Sequence, residues 1–199
     1  WRRSRKNNAG HLPTAISAPL SSTVKPPDYR EQIAVAGTPV TIRTLWPEDR
    51  AIEEAFVREL SPTSRYLRFH NALPALTPEM ADRFVHLDYP HQMALIACVP
   101  DGAGERQIAV ARWARPEGDA AADLGIAVAD AWQGKGLGTA LLQQLLRIAE
   151  QAGVEQFAAD VLYENHRMRA LARDFGFHLA PRQDDPHTLL LIRELNEHR

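Results

Sequence analysis

Three glycines at alternate positions, Gly134, Gly136 and Gly138, form the stretch of this chain whose residue types and spacing are best suited to chemistry. An apolar segment, residues 124–128, precedes them, and apolar residues recur at helical spacing from Leu137 onward. The first turn of a helix has amide N–H groups without partners and a partial positive charge, so it attracts phosphate. Glycine lets the backbone come close to such a group. The pattern therefore predicts a strand, a pyrophosphate-binding turn and a helix.

Two other phosphate-binding motifs fit this stretch poorly. A P-loop has the spacing GxxxxGK followed by Ser or Thr, whereas Lys135 lies between two glycines with no hydroxyl residue after it. The dinucleotide-binding fingerprint has the spacing GxGxxG, whereas this turn reads GxGxG and follows several predicted strands. The remaining alternative is a glycine-rich turn that only reverses the chain, which would not need the flanking strand and the long apolar helix.

The composition excludes several other classes of site and partner. The eight histidines are scattered and Cys98 is the single cysteine, so neither a metal-ligand spacing nor a disulfide framework is indicated. The nucleophile motif GxSxG is absent from the sequence. A net charge of −2 argues against a nucleic-acid partner, and no apolar run approaches the roughly 18 residues of a membrane span. We therefore expect no metal, no nucleic acid and no membrane.

Hydrophobic periodicity places the elements that must position the turn. Residues 1–38 hold a basic cluster and several prolines among few apolar residues, which predicts a disordered tail or linker, and residues 39–199 form the globular domain. Strands are expected at 40–45, 93–99, 108–113, 122–129, 156–162 and 189–195, with helices after Pro47, Ser61, Thr77, Gly136 and Asn165. This order predicts an α/β (α+β) fold, with a mixed sheet of six or seven strands flanked by helices.

The same composition gives an expected compartment. A single cysteine fits a reducing environment, and the beginning of the chain lacks the apolar stretch of a secretory signal, so we expect a cytoplasmic protein. Because the first residue is Trp1, we expect a fragment or a processed product.

Two landmarks together resemble the GNAT superfamily of acyl-CoA N-acyltransferases. Gln133, Gly136 and Gly138 match the family signature of Gln or Arg, two residues, Gly, any residue, then Gly or Ala. The second landmark is a strand followed by Asn and a helix that ends in Gly-Phe, which this chain matches with Asn165 and residues 175–177. The resemblance extends from about residue 40 to residue 195 and implies a GNAT-like sheet that is splayed at its centre.

The resemblance implies where the co-substrate acetyl-CoA binds. The sheet would open between the strand of Ile126 and the strand of Val161, with pantetheine along the strand backbone in this split and the pyrophosphate on the turn. The implied cofactor-binding residues are Ile126, Ala127, Val128, Gln133, Gly134, Lys135, Gly136, Leu137, Gly138, Thr139 and Asn165. Two of these have simpler alternatives, since Asn165 is a common helix N-cap and the Lys135 side chain could be solvated.

The resemblance also implies a catalytic carboxylate. Asp123 stands where many relatives have Glu, and because Asp is one methylene shorter we expect it to act through a water. Its alternative is an ordinary surface Asp at the entrance of a strand. Weaker candidates for acid or base are Asp119, Asp130 and His91. Many relatives carry a Tyr general acid where this chain has Ala172, so the thiolate is expected to leave unassisted or through water.

Local features look closest to the bacterial protein-lysine acetyltransferases, namely residues 64–69 (SRYLRF), Asp123 and residues 171–173. The leading hypothesis is transfer of acetyl from acetyl-CoA to a primary amine, most plausibly a protein lysine. A small amine such as a polyamine, an amino acid or an antibiotic is the first alternative, and a non-catalytic acyl-CoA-sensing module is the second. The family assigns Arg65, Tyr66 and Arg68 to the acceptor groove, with a solvated helix face as the alternative.

Overall fold

The computed structural model describes residues 24–116 and 118–195. Within these ranges the chain forms eight strands and five α-helices. The strands are β1 (Arg30–Val35), β2 (Thr38–Thr44), β3 (Gln92–Asp101), β4 (Gly104–Ala114), β5 (Ala121–Val128), β6 (Gln156–Leu162), β7 (His178–Pro181) and β8 (Thr188–Glu194). The helices are α1 (Arg50–Glu59), α2 (Pro62–Phe69), α3 (Pro78–Val85), α4 (Leu137–Gln151) and α5 (His166–Asp174).

The strands form one sheet in the order β1-β2-β3-β4-β5-β6-β8-β7. All neighbours are antiparallel except β5 and β6, which are parallel and connected through α4. A parallel pair needs such a crossover, whereas antiparallel pairs can be joined by short turns. The parallel junction at the centre of the sheet therefore has α4 directly beside it.

The two faces of the sheet pack against different helices. Strand β3 alternates between them, with Met93 and Leu95 in the larger apolar cluster, which also contains the leucines of α4. Ala94 and Ile96 belong to a second cluster, with the apolar side of α1. Burial on both faces explains why residues 93–99 are a continuous apolar run rather than an alternating one. None of the helices in the described ranges is long and apolar enough to cross a membrane.

The predicted helices are found, and so are the six predicted strands. Capping explains several helix starts, since Ser61 accepts a hydrogen bond from the Ser64 amide at 3.1 Å and Thr77 accepts one from the Met80 amide at 3.2 Å. Two strands at opposite edges of the sheet, β1 and β7, were not predicted.

The predicted boundary of the tail at residue 38 was wrong, because β1 lies inside that segment and pairs along its whole length with β2. Its first three residues are polar and exposed, and Val35 is its single buried residue, so its hydrophobic pattern is too weak to predict a strand that is held by pairing with β2. The basic cluster and the first prolines of the predicted tail lie in residues 1–23, outside the described residues.

Candidate active site

The central feature of the site is a split between β5 and β6. These strands are paired only at Ala121 with Gln156 and Ala122 with Phe157. From Asp123 onward β5 keeps its pairing with β4 but has no strand partner on its other edge, while β6 pairs with β8. The sheet therefore opens at Asp123 and the gap extends to the end of β5, between the two strands where the family resemblance implied it.

A row of free amide groups lies just beyond the wide end of the split. Within the described residues, the backbone N–H groups from Gly134 to Thr139 donate no hydrogen bond. Gly134 and Gly136 have φ values of 72° and 82°, in the left-handed region that favours glycine, and Gly136 is the N-cap of α4. Successive N–H groups in such a turn form a concave anion site, strengthened by the helix dipole. The geometry suits a pyrophosphate.

Gly138 is constrained in a different way from the other two glycines. A Cβ built on it would meet Leu171 at 3.5 Å and Val128 at 3.9 Å, both ordinary contacts. Alanine would therefore fit at this position, which agrees with the Gly-or-Ala choice in the signature that residues 133–138 resemble.

Gln133 holds the turn in place through its side chain. Its Nε2 donates to the Val128 carbonyl at 2.9 Å and to the Ser64 hydroxyl at 3.1 Å, and Arg167 donates to its Oε1. Its backbone N–H donates to the Asp130 carbonyl at 3.3 Å, so this amide is not part of the free row. The contribution expected of Gln133 is thus to the shape of the turn rather than to direct contact with phosphate.

Asp130 fastens α2 to the same turn. Its carboxylate accepts hydrogen bonds from the Ser61 amide at 3.0 Å, the Ser61 hydroxyl at 2.8 Å and the Ser64 hydroxyl at 2.8 Å. Burial disfavours the charge, but these hydrogen bonds outweigh it and lower the pKa of Asp130. A carboxylate used in this way is a structural clamp between α2 and the turn, and it is a poor candidate for a base.

Asp123, the predicted base, lies where the split opens. The residue is exposed to solvent, and it is the first residue of β5 beside the gap between the two half-sheets. Burial in this gap raises the pKa of Asp123, and the charge of Arg68 and the amide of Leu124 oppose the rise. A carboxylate that is accessible and more basic than usual is suited to proton abstraction.

The other predicted site residues make structural contacts, lie away from the split or lack a reactive side chain. The Asn165 side chain accepts a hydrogen bond from the Met168 amide at 3.1 Å, so it caps α5, and its Nδ2 makes no hydrogen bond within the described residues. His91 precedes β3, with β4 between it and the split. The Lys135 ammonium lies 5.3 Å from the centre of the Trp132 ring. Ala172 is fully buried, which leaves no side chain there for a general acid.

An open groove of about 490 Å³ lies where α2 faces the loop after β6. It is lined by Pro62, Thr63, Tyr66, Leu67 and Glu164. Its volume is in the range of small-molecule sites. The helix of Arg65, Tyr66 and Arg68 therefore borders the wide end of the split, although the Arg65 guanidinium turns away and donates to the carbonyls of Arg58 and Leu60.

Comparison with known proteins decides the family. Residues 52–177 match the Acetyltransferase (GNAT) family. An acetyltransferase of Pseudomonas aeruginosa is 31% identical over 157 residues, which are 79% of this chain and 84% of that protein. The chain belongs to the GNAT acetyltransferase family.

Solved structures of GNAT proteins share the fold. The GNAT domain of S. lividans PAT is 26% identical, with a TM-score of 0.73 over 83% of this chain and 96% of that domain. A cAMP-binding acyltransferase from Mycobacterium smegmatis is 23% identical, with a TM-score of 0.57 over 84% of this chain and 48% of that protein. The second likeness concerns the fold alone. As a GNAT protein, this chain is an acetyl-CoA-dependent N-acetyltransferase.

Two contacts in this GNAT site were not predicted. One is the clamp of Asp130 on α2, which joins residues far apart in the chain. The other is the approach of the Arg68 guanidinium to the backbone of β5 at Gly125. A glycine inside a predicted strand was the available signal for the second contact, because it often marks the close approach of another group. Within the described residues, no group of three or more His, Cys, Asp or Glu side chains could hold a metal ion.

Proposed function

We propose that this GNAT protein transfers acetyl from acetyl-CoA to lysine side chains of a protein, with Asp123 as the general base. The observation that carries the proposal is the placement of Asp123 at the closed end of the split, while the free amides of residues 134–139 lie beyond its open end. From Asp123 to Val128 an extended strand rises about 17 Å at roughly 3.4 Å per residue. An acyl-pantetheine chain extended along β5 would carry its thioester toward Asp123.

The pyrophosphate would lie on the amides of Gly134, Lys135, Gly136, Leu137, Gly138 and Thr139, with Gln133 shaping the turn. Pantetheine would run beside Ile126, Ala127 and Val128, whose outer edge has no strand partner. The free Nδ2 of Asn165, on the far side of the split, is the group that would contact it.

Asp123 would supply the proton transfer that an alkyl amine requires. A lysine amine has an ordinary pKa of about 10.4 and must lose a proton before it attacks. Asp123 would take that proton through a water as the N–C bond forms, while a backbone amide near Ile126 stabilises the oxyanion. Collapse breaks the C–S bond, and the thiolate takes its proton from water, since Ala172 offers none.

Support for a protein acceptor comes from α2. Its segment Ser64–Phe69 resembles the bacterial protein-lysine acetyltransferases, and it borders an open groove rather than a closed pocket. The likeness to the GNAT domain of S. lividans PAT agrees with this choice. The volume of this groove would admit a small amine, but because the groove is open rather than enclosed it can also take a protein segment, as a protein acceptor requires.

The test is CoA release from acetyl-CoA across a panel of acceptors: spermidine, free amino acids, an aminoglycoside and a deacetylated protein lysate. Mass spectrometry of the lysate identifies acetylated lysines. We expect turnover with protein lysines, and turnover lowered by about 10²–10⁴-fold in Asp123→Asn. Turnover with small amines alone would refute the protein acceptor, and full turnover of Asp123→Asn would refute the base.

A further inference from the structure

Gly125 lies in the interior of β5, where its backbone does not require a glycine, because its φ is outside the left-handed region. A Cβ built on it would lie 2.3 Å from Nη2, 2.4 Å from Cζ and 2.8 Å from Nη1 of Arg68. Real Cβ atoms essentially never make contacts under 3.0 Å. The glycine therefore leaves room for the Arg68 guanidinium against the strand.

Helix α2 positions Arg68 beside Gly125. The helix is fixed at its start by the Ser61 cap and by the hydrogen bonds of Ser61 and Ser64 to Asp130. At its end the Arg68 guanidinium lies 5.2 Å from the centre of the Phe69 ring. Within the described residues the Arg68 side chain makes no hydrogen bond and no ion pair, although the residue is half-buried.

Of the carboxylates near Arg68, Asp123 is the one that is not already paired with another charged side chain. Glu53, which is 1% exposed, lies 3.5 Å from Arg112 and accepts a hydrogen bond from Gln107. Arg112 lies directly opposite Gly125 in the sheet, so it occupies the same region as Arg68. Because an unpaired charge is costly in a protein interior, the two arginines need two carboxylates. Glu53 is the first, and Asp123 is the second.

On the side of Arg68 that faces Glu53 and Arg112 there is no room for another anion. The enclosed space that Arg68 shares with Glu53 and Arg112 has a volume of about 10 Å³. This is room for about one water molecule. The enclosed side therefore holds no further anion besides Glu53, and the other carboxylate that acts on Arg68 is Asp123.

Two charged side chains from different elements act on Asp123. The charge of Arg68 acts on Asp123 from α2 without an ion-pair contact, that of Asp160 acts from β6, and β4 presents only Ala114 opposite it. Burial raises the pKa of Asp123, Arg68 lowers it and Asp160 raises it. Asp160 is itself paired with Arg182. Arg68 is therefore the cation that favours the charged form of Asp123.

Burial likewise lowers the pKa of Arg68, while Asp123 and Glu53 raise it. His70, which follows α2, is influenced by both Asp160 and Arg68, and burial lowers its pKa. His70 is not among the groups that act on Asp123, so it does not replace Arg68 as its counter-charge.

We propose that Arg68 is a positioning residue of the active site, whose guanidinium, laid against Gly125, keeps the Asp123 base ionised in the split. The proposal rests on the function proposed above for Asp123. Gly125 has the complementary role of setting where this charge lies, since any side chain there would displace the guanidinium.

The experiment measures the pKa of Asp123 directly and needs no acceptor. Protein labelled with ¹³C at the aspartate carboxyl groups is titrated by NMR, and Asp123→Asn identifies the resonance. We expect the pKa of Asp123 to rise by about one pH unit in Arg68→Gln, as for loss of a nearby opposite charge. A smaller rise is expected in Gly125→Ala, in which the mobile end of Arg68 can shift while the strand stays folded.

The matched control is Arg58→Gln, which removes an exposed arginine of α1 and should leave the titration unchanged. An unchanged pKa of Asp123 in Arg68→Gln overturns the proposal, and an unchanged pKa in Gly125→Ala overturns the part assigned to the glycine. If Arg68→Gln does not fold, the pKa of Asp123 measured in Gly125→Ala decides whether the proposal stands. Full activity of Asp123→Asn would refute the proposed base without altering this titration, so the two failures are distinguishable.

Discussion

Asp123 combines two properties that rarely occur together in a carboxylate. It remains open to solvent, which a proton relay needs, and its pKa is nevertheless raised by the protein that surrounds the split. Position accounts for both properties, because Asp123 is the first residue of β5 beyond the pairing with β6. Its neighbour Ala122 is fully buried in the core, so a carboxylate one residue earlier would have no access to solvent.

At the residue scale we predict that Asp123→Asn lowers kcat by about 10²–10⁴-fold, the usual contribution of a general base. The Kd for acetyl-CoA should stay nearly unchanged, because Asp123 is distant from the amides that would hold the pyrophosphate. CoA-release kinetics and isothermal titration calorimetry measure the two quantities. Loss of acetyl-CoA binding in this variant would show that Asp123 has a structural role instead.

The same residue gives the activity its expected pH dependence. Because the pKa of Asp123 is raised, the base is protonated, and therefore inactive, up to a higher pH than an ordinary aspartate. We expect kcat/KM to increase with pH along a limb whose midpoint lies above about 3.9, and Asp123→Asn to lack this limb. A residual activity of the variant that follows the wild-type limb would contradict the assignment.

At the element scale the sequence predicted the strand, turn and helix that would form the anion site, but not the side-chain contacts that support them. The strand, turn and helix around Gly136 could be predicted because hydrophobic period, glycine spacing and helix-end chemistry are all local. The clamp of Asp130 on Ser61 and Ser64 could not, since it depends on which helix packs over which strand. For the same reason Arg68 could be placed on a groove-side helix but not against Gly125.

The turn itself gives the second prediction. Gly136→Val should abolish measurable acetyl-CoA binding in a folded protein, because a β-branched residue at a φ of 82° is strained and would rotate the amides out of line. Gly153→Val is the matched control, since Gly153 ends the same helix with a φ of 73° but its amide already donates to Glu150. Calorimetry with acetyl-CoA and thermal melts should show similar destabilisation in both variants and lost binding in Gly136→Val alone. Equal affinities would contradict the amide site.

At the scale of the whole molecule, two half-sheets are joined by two residue pairs and a shared core. One apolar cluster runs from β2 across β5 and α4 to Phe157, Phe177 and β8. The edges of this sheet were the least predictable part, because β1 and β7 are short or largely exposed and their hydrophobic pattern is weak. The central strands were predictable since both of their faces are buried.

The packing of Phe157, where the two half-sheets join, gives the last prediction. Phe157 is fully buried, pairs with Ala122 immediately before the split and lies 6.3 Å from Phe177 between ring centres. Phe157→Ala should lower the free energy of unfolding by about 3–5 kcal/mol, as for other buried phenylalanines. It should also weaken acetyl-CoA binding. The cavity left by the ring would allow the angle between β6 and β5 to vary, and the width of the split would vary with it.

Phe56→Ala is the comparison variant, since Phe56 is 2% exposed and belongs to the cluster on the α1 side of the sheet. Denaturant unfolding should give both variants a similar loss of stability, while calorimetry below the transition should find weakened acetyl-CoA binding in Phe157→Ala only. Because a ligand stabilises the state that binds it, saturating acetyl-CoA should then raise the melting temperature of Phe56→Ala more than that of Phe157→Ala. Equal ligand-induced shifts would mean that the width of the split is set by α4 and β8 rather than by the packing of Phe157.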